Sequence, residues 1–547
     1  MKNYTNSINK RVIGSFCLFC LLMLALVGRL CSIVLSDGLQ QTAQTQSSYT
    51  VTVADERGLI YDCHMQPLVG TQERWLTAVF PTPQNQQKVL DAVSSDRRSA
   101  VAELLEKGTP FVLETDTAVD AEMVYSFSVA ERYSEDQLAA HIIGYLDYSG
   151  SGITGIEKSY EEFLSAHGRK IQVTGTLNAL QQTIAGLEPE VRMSEDAGAG
   201  VVLTIDRGVQ GIIEKIGNEM LDKGAIVVMD PYTGQIKAAA SFPGYSPLDL
   251  ETAVNDTEGS PMLNRAFLPY SVGSTFKIAT AAAAFETLGS ETCIGRTFSC
   301  TGILNVYGQS FRCHKRDGHE ELDIFDALRE SCNPWFISLG LEVGGEALLD
   351  MTRWLGFGED ISLADGITVR GGSVPTADDL TAPAAVANLS FGQGSLSASP
   401  VQIARMVSAV VNGGRLVVPS LVIGTTEDGK TVERSPGPLE QTVFSRDTAA
   451  QLQLLLNYAV MSDDSQNAKP TRTTAGGKTA TAQTGQYDAD GNELEQGWFA
   501  GYFPARNPEY VVVVLAENEG LGNETAAPVF AAVADAVTAL KETADEE

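Results

Sequence analysis

Residues 12–35 are apolar almost without interruption, with Arg29 the one charged side chain among them. A run of that length predicts a membrane-crossing helix, because about 20 apolar residues span the hydrocarbon of a bilayer. Arg29 lies near the outer end, where a long side chain can snorkel to the interface. Beyond the run, residues 37–48 are polar and rich in Gln, Thr and Ser, a short stalk. Periodic segments then follow: a strand-like pattern over Thr52 to Asp62 broken by a turn, and helical patterns over 87–105 and 135–143. Residues 185–200 are acidic with Gly and Ala, the composition of a linker. Val201 to Asp206 is strand-like and leads into a helical segment reaching about Leu221. Two apolar runs, 225–230 and 235–241, are joined by Pro-Tyr-Thr-Gly, which predicts a hairpin. Near the end, 478–484, 497–503 and 510–516 supply three more strands before a closing helix at about 526–540. Five antiparallel strands from the two ends of this half, enclosing a helix-rich middle, predict an α+β fold.

A chain of 547 residues holds two or three domains. The division expected is a stub (1–11), a transmembrane anchor (12–35), an N-terminal domain (36–195) and a larger second domain (196–547). Lys2, Lys10 and Arg11 precede the apolar run, so the positive-inside rule leaves the N-terminus in the cytoplasm and the remainder outside. A cleaved signal peptide is the competing reading, but no small-x-small cleavage site follows the run. With 38 basic and 69 acidic residues the net charge is -31, which argues against nucleic acid as a partner and describes a well-hydrated ectodomain.

Ser274 opens an apolar, helix-forming stretch and has Lys277 one turn behind it. On a helix, positions i and i+3 share a face, so the amine can take the hydroxyl proton, provided burial lowers its pKa. The N–H groups of a helix's first turn favour negative charge developing there. Ser-x-x-Lys alone is weak: it is expected about once by chance in such a chain, and it recurs at Ser7-Ile-Asn-Lys10. The second match has company in Ser331-Cys-Asn333, behind a helical pattern over 322–330, and in Lys478-Thr479-Ala480.

The order Ser-x-x-Lys, Ser-x-Asn, Lys-Thr-small resembles the penicillin-recognising serine transpeptidases and β-lactamases. With Arg57-Gly-Leu-Ile-Tyr-Asp62, Gly155-Ile-Glu157, Leu203-Thr-Ile-Asp206 and the block from Phe391 to Gln402, the chain is similar over nearly its whole length to class B penicillin-binding proteins. The resemblance implies a membrane-anchored peptidoglycan D,D-transpeptidase. Its N-terminal domain would be a non-catalytic pedestal and its second a transpeptidase domain, a five-stranded antiparallel sheet flanked by helices. It implies Ser274 as nucleophile, Lys277 as its base, and Ser331 and Asn333 relaying protons and holding the substrate amide. Lys478 and Thr479 would hold the substrate's terminal carboxylate. The N–H groups of Ser274 and Thr481 would form the oxyanion hole, with Gln483 contributing to substrate binding. No cofactor is required for that chemistry. Expected partners are peptidoglycan stem peptides, β-lactams, and a membrane-embedded glycosyltransferase with other wall-synthesis proteins. A β-lactamase, a D,D-carboxypeptidase of the same fold, and a non-enzymatic penicillin-binding scaffold or sensor are the other readings. Two departures stand out: Ala480 puts a methyl where relatives have glycine, and Val272 stands where proline is common.

Five cysteines lie beyond the apolar run. Four residues, Cys300, Cys313, His319 and Cys332, form a set that tetrahedral Zn2+ prefers, and the last lies inside the Ser-x-Asn motif. His314 is an alternative to His319. A Cys300–Cys313 disulfide closing an extracellular loop stands beside the zinc reading, as does a Cys332 that is simply a small buried residue. A zinc ion there would brace the loop carrying Ser331 and Asn333.

Overall fold

The five strand-like runs pair into one antiparallel sheet. Its strands are β1 (Gly224–Met229), β2 (Ile236–Phe242), β3 (Gly476–Tyr487), β4 (Glu493–Phe503) and β5 (Tyr510–Ala516), in the order β2-β1-β5-β4-β3. Strand β5 reads as an unbroken apolar run because both its faces are covered, as that pattern demands. Val512 and Val514 join one core cluster, while Val511, Val513 and Leu515 join another, the two-residue alternation of a pleated strand.

Five helices position this sheet: α1 (Arg207–Met220), α2 (Lys277–Leu288), α3 (Asn333–Val343), α4 (Pro400–Val411) and α5 (Ala526–Glu546). Helices α1 and α5 cover one face through Val209, Ile213, Phe530 and Val533. Helix α4 packs on the other, and α2 and α3, which pack on each other, join the same core cluster. The start of α1 is fixed by Asp206, whose carboxylate accepts from the Gly208 and Val209 N–H groups, a cap worth about 1 kcal/mol. Helix α2 is buried on every side through Phe285 and apolar there, as a core helix should be, with the exceptions of Lys277 at its first position and Thr280, whose hydroxyl donates to the Ser390 carbonyl.

The computed structural model describes residues 2–34, 47–178, 180–184, 186–194, 198–435, 437, 439–462, 467–487 and 491–546. Most of the expected stalk (37–46) and the centre of the expected linker (195–197) lie outside these. The backbone divides into two compact units. One comprises Met1–Glu56, Glu73–Glu131 and Arg169–Asp196; the other comprises Arg57–Gln72, Arg132–Gly168 and Ala197–Glu547. That division differs from a single cut near residue 196, because two earlier stretches belong with the catalytic sheet's unit. Leu59–Tyr61 pairs in parallel with Gly200–Leu203. In the same unit Glu157, fully buried, is held between Arg57 (3.3 Å) and Arg132 (2.7 Å), so the Arg57 and Glu157 blocks meet in space.

The first unit contains two three-stranded sheets. Ser48–Asp55 pairs with Lys170–Thr176, which continues to Glu190–Met193, and Gln72–Val79 lies between Phe111–Thr115 and Val124–Glu131. Its N-terminal helix runs from Lys2 to Val34, of which Lys10–Ile33 is long and apolar enough to cross a membrane. Two helical expectations are trimmed. The pattern over 87–105 forms two helices, Gln86–Asp91 and Arg98–Lys107, separated where Ser94 and Asp96 hydrogen-bond locally instead of continuing a helix. In the second unit the pattern over 135–143 shortens to Ala140–Ile143, because Ala139 takes a left-handed conformation.

Candidate active site

Ser274 sits in a 3-10 turn, Gly273–Phe276, that runs directly into α2. The turn is built on glycines. Gly273 has φ +54° and lies so close to β3 that a Cβ there would meet the Thr481 carbonyl at 2.9 Å, and its N–H donates to the Gly392 carbonyl (3.1 Å). The Trp498 indole on β4 donates to the Ser271 carbonyl (2.9 Å), pinning the strand that enters the turn. Thr481 is thereby placed beside Ser274, and its hydroxyl accepts from the Gly522 N–H (3.2 Å).

Lys277 is completely buried. Its Nζ donates to the Ser331 carbonyl (2.7 Å), the Ser331 hydroxyl (3.2 Å) and Asn333 Oδ1 (2.8 Å), and it lies 5.4 Å from the centre of the Phe336 ring. One amine therefore joins the first motif to the second. Ser331 adopts a left-handed backbone (φ +53°), a local strain worth about 1–3 kcal/mol of the kind found at functional sites. That conformation brings its carbonyl and hydroxyl to the same amine. Cys332 caps α3, and Asn333 opens that helix.

Lys478 projects from β3 and is 2 % exposed, with Nζ donating to the Thr479 carbonyl (2.8 Å) and lying 3.4 Å from the Thr479 hydroxyl. Burial lowers both amines. Lys277 falls well below the usual lysine range through desolvation, reinforced by the charge of Lys478. Lys478 drops to about 7 through desolvation, opposed by Glu330. Both lowered amines lie in the same site as the turn carrying Ser274, and a lysine lowered in this way can handle protons.

The Ala480 side chain is 4 % exposed and belongs to the main core cluster, so its methyl is packed against protein. Val272 is also fully buried there. Gln483 is not brought to the cluster: it is exposed, and its amide donates to Glu493 across the β3–β4 hairpin (2.7 Å). Two contributors escaped the sequence reading. Glu330 faces Lys478 electrostatically, and Gly392 supports the nucleophile's turn. The Phe391-Gly-Gln-Gly block signalled the second, but nothing in the sequence assigned Gly392 that role.

Cys300, Cys313, His319 and Cys332 converge. All four are buried and their ligand atoms lie within 4.8 Å of one another, with Cys313 Sγ 3.5 Å from His319 Nδ1. The three cysteines are free thiols, so no Cys300–Cys313 disulfide is formed. His314 is farther, at 3.9 Å from Cys313 Sγ. A shared hydrogen bond pulls the Cys313 thiol down and pushes Cys332 up. His319 Nε2 is buried, finds no hydrogen-bond partner among the described residues, and lies 4.0 Å from Glu330. Three sulfurs, one imidazole and a carboxylate behind the ring fit a structural zinc ion and its outer support.

Residues 224–535 match the family described as the penicillin binding protein transpeptidase domain, and the chain belongs to that family. It is 28% identical over 535 residues to stage V sporulation protein D of Bacillus subtilis, covering 91% of this chain and 80% of that one. It is 27% identical over 477 residues to peptidoglycan D,D-transpeptidase MrdA of Acinetobacter baumannii, covering 76% and 69%. Among solved structures, a penicillin-binding protein 2 from Helicobacter pylori in complex with MreC superposes with a TM-score of 0.63 at 22% identity, covering 91% of this chain and 99% of that one. Penicillin-binding protein A of Mycobacterium tuberculosis, a ceftriaxone acyl-enzyme, gives 0.64 at 21%, covering 88% and 98%. Both share the fold.

Proposed function

We propose that this chain is a membrane-anchored peptidoglycan D,D-transpeptidase that cross-links stem peptides through an acyl-serine intermediate and is inhibited by β-lactams. The observation that carries the reading is the buried Lys277 amine, hydrogen-bonded to both Ser331 and Asn333 at the start of the helix that follows the turn bearing Ser274. Neutral Lys277 accepts the Ser274 hydroxyl proton as Oγ attacks the carbonyl of the penultimate D-Ala. The tetrahedral oxyanion is held by the N–H groups of Ser274 and Thr481, the contribution that is usually largest in acyl transfer. Collapse expels the terminal D-Ala, whose nitrogen takes a proton through Ser331, and leaves the Ser274 ester. An amine from a second stem peptide then attacks that ester and regenerates Ser274. Asn333 holds the substrate amide, while Lys478 and Thr479 bind its carboxylate. Gln483, turned toward Glu493, is left out of this scheme.

The helix Lys10–Ile33 anchors the chain with its N-terminus in the cytoplasm and the catalytic unit outside, and a membrane-embedded glycosyltransferase and other wall-synthesis proteins are its partners. The H. pylori protein's complex with MreC supports partners of that kind.

The test is labelling of the full chain in detergent with a fluorescent penicillin. Stable label on the wild type and none on Ser274→Ala is expected. Rapid loss of label with nitrocefin turnover would instead make it a β-lactamase, and well-folded wild type that takes no label would point to a scaffold.

Cys300, Cys313, His319 and Cys332 hold a structural zinc ion that braces the Ser331–Asn333 loop. Zinc supplies rigidity there, and no proton transfer passes through it. Cys313→Ser and His319→Ala are expected to lose one zinc per chain, to melt lower and to label more slowly. Unchanged zinc content in both variants would remove this assignment.

A further inference from the structure

A second group of ligating side chains lies away from Ser274, on loops of the same unit. Cys63 Sγ, a ring nitrogen of His64 and a carboxylate oxygen of Asp206 all lie within 4.8 Å of one another, and His64 Nε2 is 3.2 Å from Asp206 Oδ2. Two ligands each about 2.0–2.1 Å from a tetrahedral zinc ion stand about 3.3 Å apart, so this pair already has the spacing of one edge of such a site.

Backbone contacts hold the three residues together. Cys63 N–H donates to the Ile205 carbonyl (2.8 Å), which ties position 63 to the residue before Asp206. Asp62, 1 % exposed, accepts the N–H groups of His64 (2.8 Å) and Gln66 (2.8 Å) on one oxygen and that of Arg207 (3.3 Å) on the other. One buried carboxylate thus fixes the backbone on both sides of the cluster. Asp206 commits Oδ1 to capping α1 and presents Oδ2 to His64. The ligand set is one thiolate, one imidazole and one carboxylate, with two negative charges against a divalent cation. Burial pushes the Cys63 thiol up to about 11 against the opposing charge of Lys237, so a bound cation would have to displace the thiol proton to gain the thiolate. His64 is 64% exposed and Asp206 22%, so the site opens to solvent.

We infer that Cys63, His64 and Asp206 form a second divalent-metal site, suited to Zn2+, with three protein ligands and a fourth position open to water. The ion ties the loop after Leu59–Tyr61 to the first turn of α1. The site is independent of the Cys300–Cys332 quartet and of the reaction at Ser274.

Equilibrium dialysis of the detergent-solubilised full chain against micromolar free Zn2+ tests it, using wild type, Cys63→Ser, His64→Ala and Cys313→Ser. Expected is one zinc fewer per chain in each of Cys63→Ser and His64→Ala than in wild type, with penicillin labelling unchanged. Their losses should add to that of Cys313→Ser in a double variant. Cobalt in place of zinc should show a thiolate-to-metal band in Cys313→Ser that weakens when Cys63 is also replaced. Equal zinc content in wild type, Cys63→Ser and His64→Ala would overturn the inference, leaving His64 and Asp206 as a surface ion pair. Labelling and the Cys313→Ser count read the other two assignments separately.

Discussion

Lys277→Ala is expected to slow acylation of Ser274 by a penicillin by about 10²–10⁴-fold, the usual contribution of a positioned general base. The amine does two things that alanine cannot. In the proposed mechanism it accepts the serine proton, and it holds the Ser331 carbonyl and Asn333 Oδ1 in register with the first motif. Lys277→Arg should not restore the rate, because a guanidinium stays protonated throughout the working pH range. The pH dependence follows from the direction of the shift. Burial favours the neutral amine, so wild-type labelling should start to fall at a lower pH than an ordinary lysine would impose, as acid protonates Lys277, with Lys478 charging below about 7. Lys277→Ala should lose the limb that belongs to Lys277. Stopped-flow acylation between pH 5 and 9 measures both, and an acid limb identical in wild type and variant would assign the base elsewhere.

Gly392→Ala should be the most damaging single methyl near the site. Gly392 has φ +77°, and a Cβ there would fall deep inside the Gly273 carbonyl and press on Phe276. The backbone strain alone is about 1–3 kcal/mol, and relieving the overlap requires the turn carrying Ser274 to shift. The expected result is a loss of about 3 kcal/mol or more, with labelling reduced further than the unfolded fraction explains. Gly394→Ala is the control. Gly394 has φ +88°, but its nearest contact would be the Asn388 Cβ at 3.6 Å, so it carries strain without collision. Thermal unfolding and labelling of both variants decide the matter: equal losses would mean that left-handed backbone, and not the approach to Gly273, sets the effect.

Much of this was legible in the residues because the periodicities are strong. The runs at 225–230, 235–241 and 510–516 became strands within a residue or so, since buried β5 needs apolar side chains on both faces. The three motifs and the Cys/His quartet could be picked out because chemistry restricts which side chains serve. The hand-offs between segments far apart in the chain were not legible. That Lys277 would grip the Ser331 carbonyl depends on the left-handed backbone at Ser331, which no side-chain pattern announces. Gln483 was misplaced because β3 runs on to Tyr487, carrying it out along the hairpin to Glu493. The helix expected over 135–143 lost its first half to Ala139, whose side chain gives no warning of left-handed geometry.

The interleaving of the two units bears on how the chain is made. Passing from one to the other at 56/57, 72/73, 131/132, 168/169 and 196/197, it switches units five times. No contiguous fragment contains the whole catalytic unit without parts of the other. A polypeptide beginning at residue 198 would leave Gly200–Leu203 with an empty edge where Leu59–Tyr61 belongs, an invitation to pair with another copy. During synthesis, residues 59–61 emerge about 140 residues before their strand partner, and β5, the central strand of the separate five-stranded sheet, comes some 300 residues after that. Until β5 arrives, β1 and β4 have no common neighbour, so Ser274, Ser331 and Lys478 are all synthesised before the sheet that aligns them can close. Nascent chains halted short of residue 510 should therefore take no penicillin label, although every catalytic side chain is already present.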